Sequence, residues 1–159
     1  MNTTQILSIT IGLSPNEINS GIDSTLNHKL RKQLEGKCIK EGYVIPGSIE
    51  IVNRSMGTAQ LSHFNANFLY HIKYSANICN PVEGDIIDAT ITNINKMGIL
   101  AFAGEGDPQP ISILLAKQHH MDNPNFDKLR EGYDIKVKII GKRFDSGENQ
   151  ISIIGLLTK

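Results

Sequence analysis

Histidine and cysteine are the side chains best suited to hold a metal or to carry nucleophilic chemistry, and in this sequence of 159 residues they number five and two. Their spacing argues against both uses. His119 and His120 are adjacent, beside Met121 and Asp122, and neighbouring side chains point in different directions on any regular element, so they do not converge on one ion. The pair is expected in an exposed loop. Cys38 and Cys79 stand apart, without CxxC spacing or neighbouring ligands, and read as buried free thiols. Asp85 and Asp88 flank the start of a strand and read as solvated residues. There is no glycine-rich phosphate loop, no histidine pair at helical spacing and no nucleophile elbow. The expectation is a chain with no catalytic residue, no metal and no cofactor of its own.

Nucleic-acid binding is the second chemistry to consider. Single strands are bound by aromatic rings that stack bases and by cations that follow the phosphates. The second half of the chain offers four rings, Phe102, Phe126, Tyr133 and Phe144, and the basic residues Lys96, Lys117, Lys136, Lys138, Lys142 and Arg143. Lys136 and Lys138 alternate with Ile135, Val137 and Ile139, which places both on the polar face of one strand. Phe102 is the candidate stacking ring. The sixteen basic residues are balanced by sixteen acidic ones, so no global positive field draws in phosphates, and RNA affinity should be weak. A solvated strand face is the competing reading.

The elements that must position these residues follow from periodicity. Residues 6–13 alternate apolar and polar, as in a half-buried strand, and end at Gly12, Ser14 and Pro15. Ile22, Leu26, Leu30 and Leu34 recur at every fourth position and predict a helix over 21–35, capped by Ser20 and stopped by Gly36. CIKEGYVI, SIEIV and a long run ending HIKYSANI read as strands packed on that helix. The run 64–78 carries Phe64, Phe68, Tyr70, Ile72 and Tyr74, more apolar surface than the four helix residues can bury. Together with Tyr43 these aromatics are the candidates for a partner or core-enzyme interface, the alternative being that the second half of the chain covers them.

The segment NPVEGD, at 80–85, punctuates the chain, and the expected domains are 1–80 and 81–159. The first carries seven basic and five acidic residues, the second nine and eleven, so both are near neutral. In the second, DIIDATITNI, GILAFAG, PISILLA, YDIKVKIIGKRF and QISIIGLL are five strand candidates separated by turn residues, with one longer connection at 117–132. That is the pattern of a Greek-key OB barrel, with a meander or small sandwich as the alternative. No apolar run is long enough to span a bilayer, and the start MNTTQILSITIGL lacks a signal-peptide pattern, so a soluble intracellular protein is expected, with no membrane partner.

Three blocks carry a more specific likeness: LEGKCIKEGYVI at 34–45, HIKYSANICNPVEGDIIDATITNINKMGIL at 71–100 and IKVKIIGKRFDSGENQISIIGLL at 135–157. In this order and spacing they resemble the stalk subunits of multisubunit RNA polymerases, the family of the seventh subunit of eukaryotic RNA polymerase II and its archaeal counterpart. The resemblance implies an α+β N-terminal tip domain, an antiparallel sheet with one main helix, followed by an all-β five-stranded OB barrel of ribosomal S-one type. It implies a non-catalytic subunit that pairs with a smaller helical partner, touches the polymerase core through its tip and meets nascent single-stranded RNA with its barrel.

The sequence departs from that pattern at the junction, where relatives carry aromatic and basic residues, and at LSHFNANF, where they carry a glycine-rich turn. Such divergence fits a viral member. The implied location is the nucleus for a eukaryotic protein and the host cytoplasm or virion for a viral one. The competing function is a stand-alone OB-fold RNA-binding protein, such as a translation initiation or exosome factor, which would share the barrel but lack LEGKCIKEGYVI ahead of it.

Overall fold

The computed structural model describes residues 2–18, 21–59, 67–104 and 109–158. The chain divides into two compact units, one of Asn2–Lys37 with Val44–Ile78, the other of Cys38–Tyr43 with Cys79–Lys159. Among the described residues no helix is long and apolar enough to cross a membrane.

The first unit is a sheet with one α-helix. Strand β1 (Asn2–Leu13) alternates as its sequence predicts, and its inward residues become fully buried toward the end, at Ile11 and Leu13. Helix α1 (Ile22–Leu34) buries Leu26, Leu30 and Leu34, while Ile22 at its first turn is half-buried. Gly21 occupies the N-cap position, and the expected cap Ser20 lies outside the described residues. The strand-to-helix connection is held by charge: Lys29 donates to the Gly12 carbonyl at 3.2 Å and pairs with Glu17 at 2.6 Å. Ser14 donates both its hydroxyl and its backbone N–H to the same Glu17 carboxylate.

These contacts, the Lys29 ammonium foremost and then Ser14, lower the Glu17 carboxyl from its ordinary 4.5 to about 2. A depressed carboxylate contributes stability that is complete above the unfolded value and lost as pH falls through the folded one, here between 4.5 and about 2. The pair faces solvent, so its share of stability is small. An NMR titration of Glu17 should have its midpoint near 2 and return toward 4.5 in a Lys29→Met variant. A wild-type midpoint at 4.5 would dissolve the pair.

The hairpin of β2 (Cys38–Ile39) and β3 (Gly42–Val44) contributes Cys38–Tyr43 to the barrel unit. Its backbone is tied to the turn at 144–150, Cys38 N–H to the Glu148 carbonyl at 2.7 Å and Gly147 N–H to the Cys38 carbonyl at 2.8 Å. Cys38 and Cys79 are buried free thiols, as their isolation in the sequence suggests. Burial first, then the Glu148 carboxylate, pushes Cys38 up to about 11, so it remains an unreactive thiol at neutral pH.

Strand β4 (Glu50–Arg54) and strand β5 (Thr58–Ala59) pair antiparallel with β6 (Phe68–Cys79), which matches β1 in length at 12 residues. On β6, Tyr70, Ile72, Tyr74, Ala76 and Ile78 face inward and are all buried. Arg54 lies over the Tyr70 ring at 5.8 Å and is hydrogen-bonded to Asp23 of the helix.

The second unit is a closed five-stranded barrel: β7 (Ile86–Asn95), β8 (Gly98–Ala103), β9 (Ile111–Ala116), β10 (Asp134–Arg143) and β11 (Ile151–Leu157). Neighbours run in the order β10-β11-β9-β8-β7 and back to β10, with β11 parallel to β9 and every other pair antiparallel. This is the OB topology, and all five strands fall on the five turn-bounded segments that the sequence offers as strand candidates. Bulges in β7 between Ile91 and Asn93 and in β10 between Ile139 and Gly141 supply the bending that closure demands.

The connection after β9 corrects one expectation. His119 is exposed, but His120 is buried, stacked on Phe126 at 4.5 Å between centroids. Its Nε2 accepts from Leu157 N–H at 2.9 Å, so the proton sits on Nδ1, which donates to the Ala116 carbonyl at 2.7 Å. The imidazole thereby satisfies two backbone groups at the end of the barrel. Nothing local in the sequence distinguishes it from its neighbour.

Candidate nucleic-acid interface

Lys136 and Lys138 point outward from β10, between buried Ile135, Val137 and Ile139, as the alternation predicts. Pairing then decides what Lys136 meets. Its register partner on β7 is Asp88, while Asp134 faces Thr90, which in turn faces Phe102 on β8. Thr90 donates its hydroxyl to the Asp134 carboxylate at 2.7 Å. Phe102 and Lys136 therefore line one cavity of about 450 Å³ together with Asp88, Asp134 and Gln109. Two carboxylates share it with one ammonium, a balance that repels phosphate at the proposed stacking ring. Lys138 is exposed one pair further along, opposite Ile86.

Lys142 is engaged within the chain. Its ammonium donates to Asn80 Oδ1 at 2.7 Å and to the Pro81 carbonyl at 3.0 Å, fastening the start of the barrel unit to β10. Arg143 is exposed on the same strand end, and with Lys142 it lines a cavity of about 390 Å³ floored by Leu114 and Ile154. Lys96 lies in the β7–β8 turn and lines a cavity of about 460 Å³ with Lys117, Met97, Met121 and Leu114 again. The six basic and aromatic candidates thus fall into two groups: Phe102 and Lys136 in one cavity, with Lys138 beside it, and Lys96, Lys142 and Arg143 around the Leu114 surface.

The aromatics of the first unit and of the hairpin take a different place from the one the sequence suggests. Tyr43, Tyr70 and Tyr74 are buried and Phe68 is half-buried, whereas Phe64 lies outside the described residues. The free face of β6 carries His71 and Lys73 instead. With Arg54, Asn53, Ser55 and Ser8 these line a cleft of about 240 Å³, and His71 Nδ1 is bonded to the Thr10 hydroxyl at 2.9 Å. This face of β6 is therefore polar and basic. The parity of FLYHIKYSAN carries this signal: assigning the tyrosines to the inside puts His71 and Lys73 outside. Among the described residues no group of three or more histidine, cysteine or acidic side chains converges as a metal site would require.

No family model matches the sequence. Individual proteins do. Subunit rpb7 of DNA-directed RNA polymerase II from Schizosaccharomyces pombe is 29% identical over 159 residues, covering 89% of this chain and 87% of its own. The corresponding RNA polymerase II subunit of Glycine max is 27% identical, with 90% and 85% covered. A protein of Acanthamoeba polyphaga mimivirus named as a putative DNA-directed RNA polymerase subunit is 23% identical, with 92% and 77% covered. The matched span takes in both the sheet-and-helix unit and the OB barrel, the combination that the stalk-subunit resemblance implies. Along about nine-tenths of its length, this chain is similar to seventh subunits of DNA-directed RNA polymerase II and to a viral polymerase subunit, as the stalk-subunit resemblance of its sequence blocks anticipates.

Proposed function

We propose that the chain works as a non-catalytic stalk subunit of a DNA-directed RNA polymerase, bound to a helical partner subunit and to the core enzyme through its tip, with its barrel beside emerging RNA. The observation that carries this reading is the collinear likeness to RNA polymerase II seventh subunits through both units, 89% of the chain against the fission yeast protein. A stand-alone OB-fold protein would match in the barrel alone. The likeness to a mimivirus polymerase subunit supports a viral member as readily as a nuclear one, with the host cytoplasm or virion as its location.

In the tip, the polar and basic cleft around Arg54, His71 and Lys73 is the exposed surface suited to an acidic partner, while the buried tyrosines act by holding β6 in place. Co-expression with the helical subunit of the same source should give a stable heterodimer, and charge reversal at Lys73 should weaken it. A chain that stays monomeric and unchanged in stability beside that subunit would defeat the pairing.

For RNA, binding should be weak and sensitive to salt, because the barrel offers a few local cations and no net positive charge. Reversing Lys136 and Lys138 together is expected to flatten the salt dependence by up to about 1.4 units of slope, at ~0.7 per phosphate contact on a single strand, with the Lys138 share the larger because Asp88 and Asp134 beside Lys136 oppose phosphate. An unchanged affinity and slope would remove β10 from the RNA path, and the same measurement on an Arg143→Glu variant tests the second group.

A further inference from the structure

The outer surface that joins β9 and β11 is built unlike the rest of the barrel. Leu114 and Ile154 are register partners on these parallel strands, and they remain 40% and 45% exposed. Met97 and Met121 extend the apolar surface on one side, 79% and 80% exposed. The two cavities here, about 390 and 460 Å³, both have Leu114 in their lining and so adjoin at that residue, and the pair is called the β9–β11 groove. Its rim is basic: Lys96 and Lys117 at one end, Arg143 at the other. The Lys142 ammonium is spent on Asn80 and Pro81, so that residue offers its methylenes. Among the described residues no carboxylate lines either cavity, in contrast to Asp88 and Asp134 at Phe102.

An aliphatic floor inside a cationic rim selects its ligand. Single-stranded nucleic acid draws much of its affinity from stacking on aromatic rings, about 1–3 kcal/mol per base, and no ring lines this groove. Leucine and methionine pack against aliphatic side chains, and exposed methionine adapts to several shapes. From these features we infer that the β9–β11 groove docks an extended acidic segment of a partner protein, its apolar side chains on Leu114, Ile154, Met97 and Met121 and its carboxylates facing Lys96, Lys117 and Arg143. From β10 across β11 to β9 the lining crosses two strand spacings of about 4.8 Å, enough for roughly three residues of extended chain, and then reaches the β7–β8 turn. This peptide surface goes beyond the RNA reading at Lys136 and Lys138 and competes with RNA for Arg143.

Fluorescence anisotropy on the whole chain tests it with labelled peptides of about ten residues, alternating Glu-Leu, Glu-Ser or Lys-Leu, long enough to cross the groove twice over. The Glu-Leu peptide should bind, and the other two should bind at least about tenfold more weakly, a loss of ~1.4 kcal/mol. Lys117→Glu with Arg143→Glu should abolish the difference, Leu114→Ser should reduce it, and Lys40→Glu, an exposed charge outside the groove lining, should leave it intact. Equal binding of Glu-Leu and Glu-Ser would overturn the proposal, since the floor would then play no part. So would oligouridylate that binds more tightly than the Glu-Leu peptide through the same Lys117 and Arg143.

Discussion

Replacing Gly98 by alanine is expected to lower the stability of the barrel unit by about 3 kcal/mol or more, combining overpacking against backbone with the strain of a positive φ. Gly98 opens β8 at φ +153, and a Cβ there would lie 2.1 Å from the Leu115 carbonyl oxygen on β9. That obstacle is backbone, held by the ladder between β8 and β9, and cannot swing aside. The position also belongs to a tight turn in which the Asn95 side chain accepts from the N–H groups of both Met97 and Gly98. Gly84→Ala is the comparison, because φ is +94 but nothing lies within 4 Å of the added carbon. Its cost should be the conformational one alone, about 1–2 kcal/mol. Denaturant titration should show a lower midpoint for Gly98→Ala at unchanged slope. Equal losses at the two glycines would mean that β8 and β9 do not approach this closely.

Leu30→Ala should destabilise the sheet-and-helix unit by about 2–5 kcal/mol, the range for emptying a leucine site in a packed core. Leu30 is 0% exposed at the centre of α1, with Leu26 and Leu34 one turn away on the same face. Ile22→Ala should cost less, since Ile22 is half-buried and its surroundings can collapse or hydrate. A melting temperature unmoved by Leu30→Ala would place the apolar stripe of the helix outside the core and make it a surface awaiting a partner.

How far the sequence foretells these features depends on how local their causes are. The barrel strands are legible because each is a short run rich in Ile, Val, Leu or Ala, alternating with polar residues in β7, β10 and β11, and is set off by turn residues. The helix is legible for the same reason, with leucines at every fourth position. What depends on register is not. Lys136 reads as a cation on a polar strand face, and only the pairing of β10 with β7 sets it opposite Asp88 and beside Asp134. Likewise the groove over Leu114 and Ile154 exists because β11 lies parallel to β9, a pairing between distant segments that no local pattern announces.

The tyrosines of β6 and the second histidine of the pair mislead for a related reason. An aromatic strand reads as surplus apolar surface until the residues that cover it are known, and here Tyr70 and Tyr74 are buried. His120 reads as a loop residue until Leu157 and Ala116 are seen to bind its two nitrogens. In both cases long-range packing decides between core and surface.

Membership of a polymerase is tested most directly by affinity purification of the tagged chain from its own source. Washed at moderate salt, the eluate should contain the catalytic core subunits of a DNA-directed RNA polymerase and a small helical partner, all in stoichiometric amount, with template-dependent RNA synthesis. A chain recovered alone, or with ribosomal or RNA-processing proteins and without polymerase subunits or activity, would contradict it.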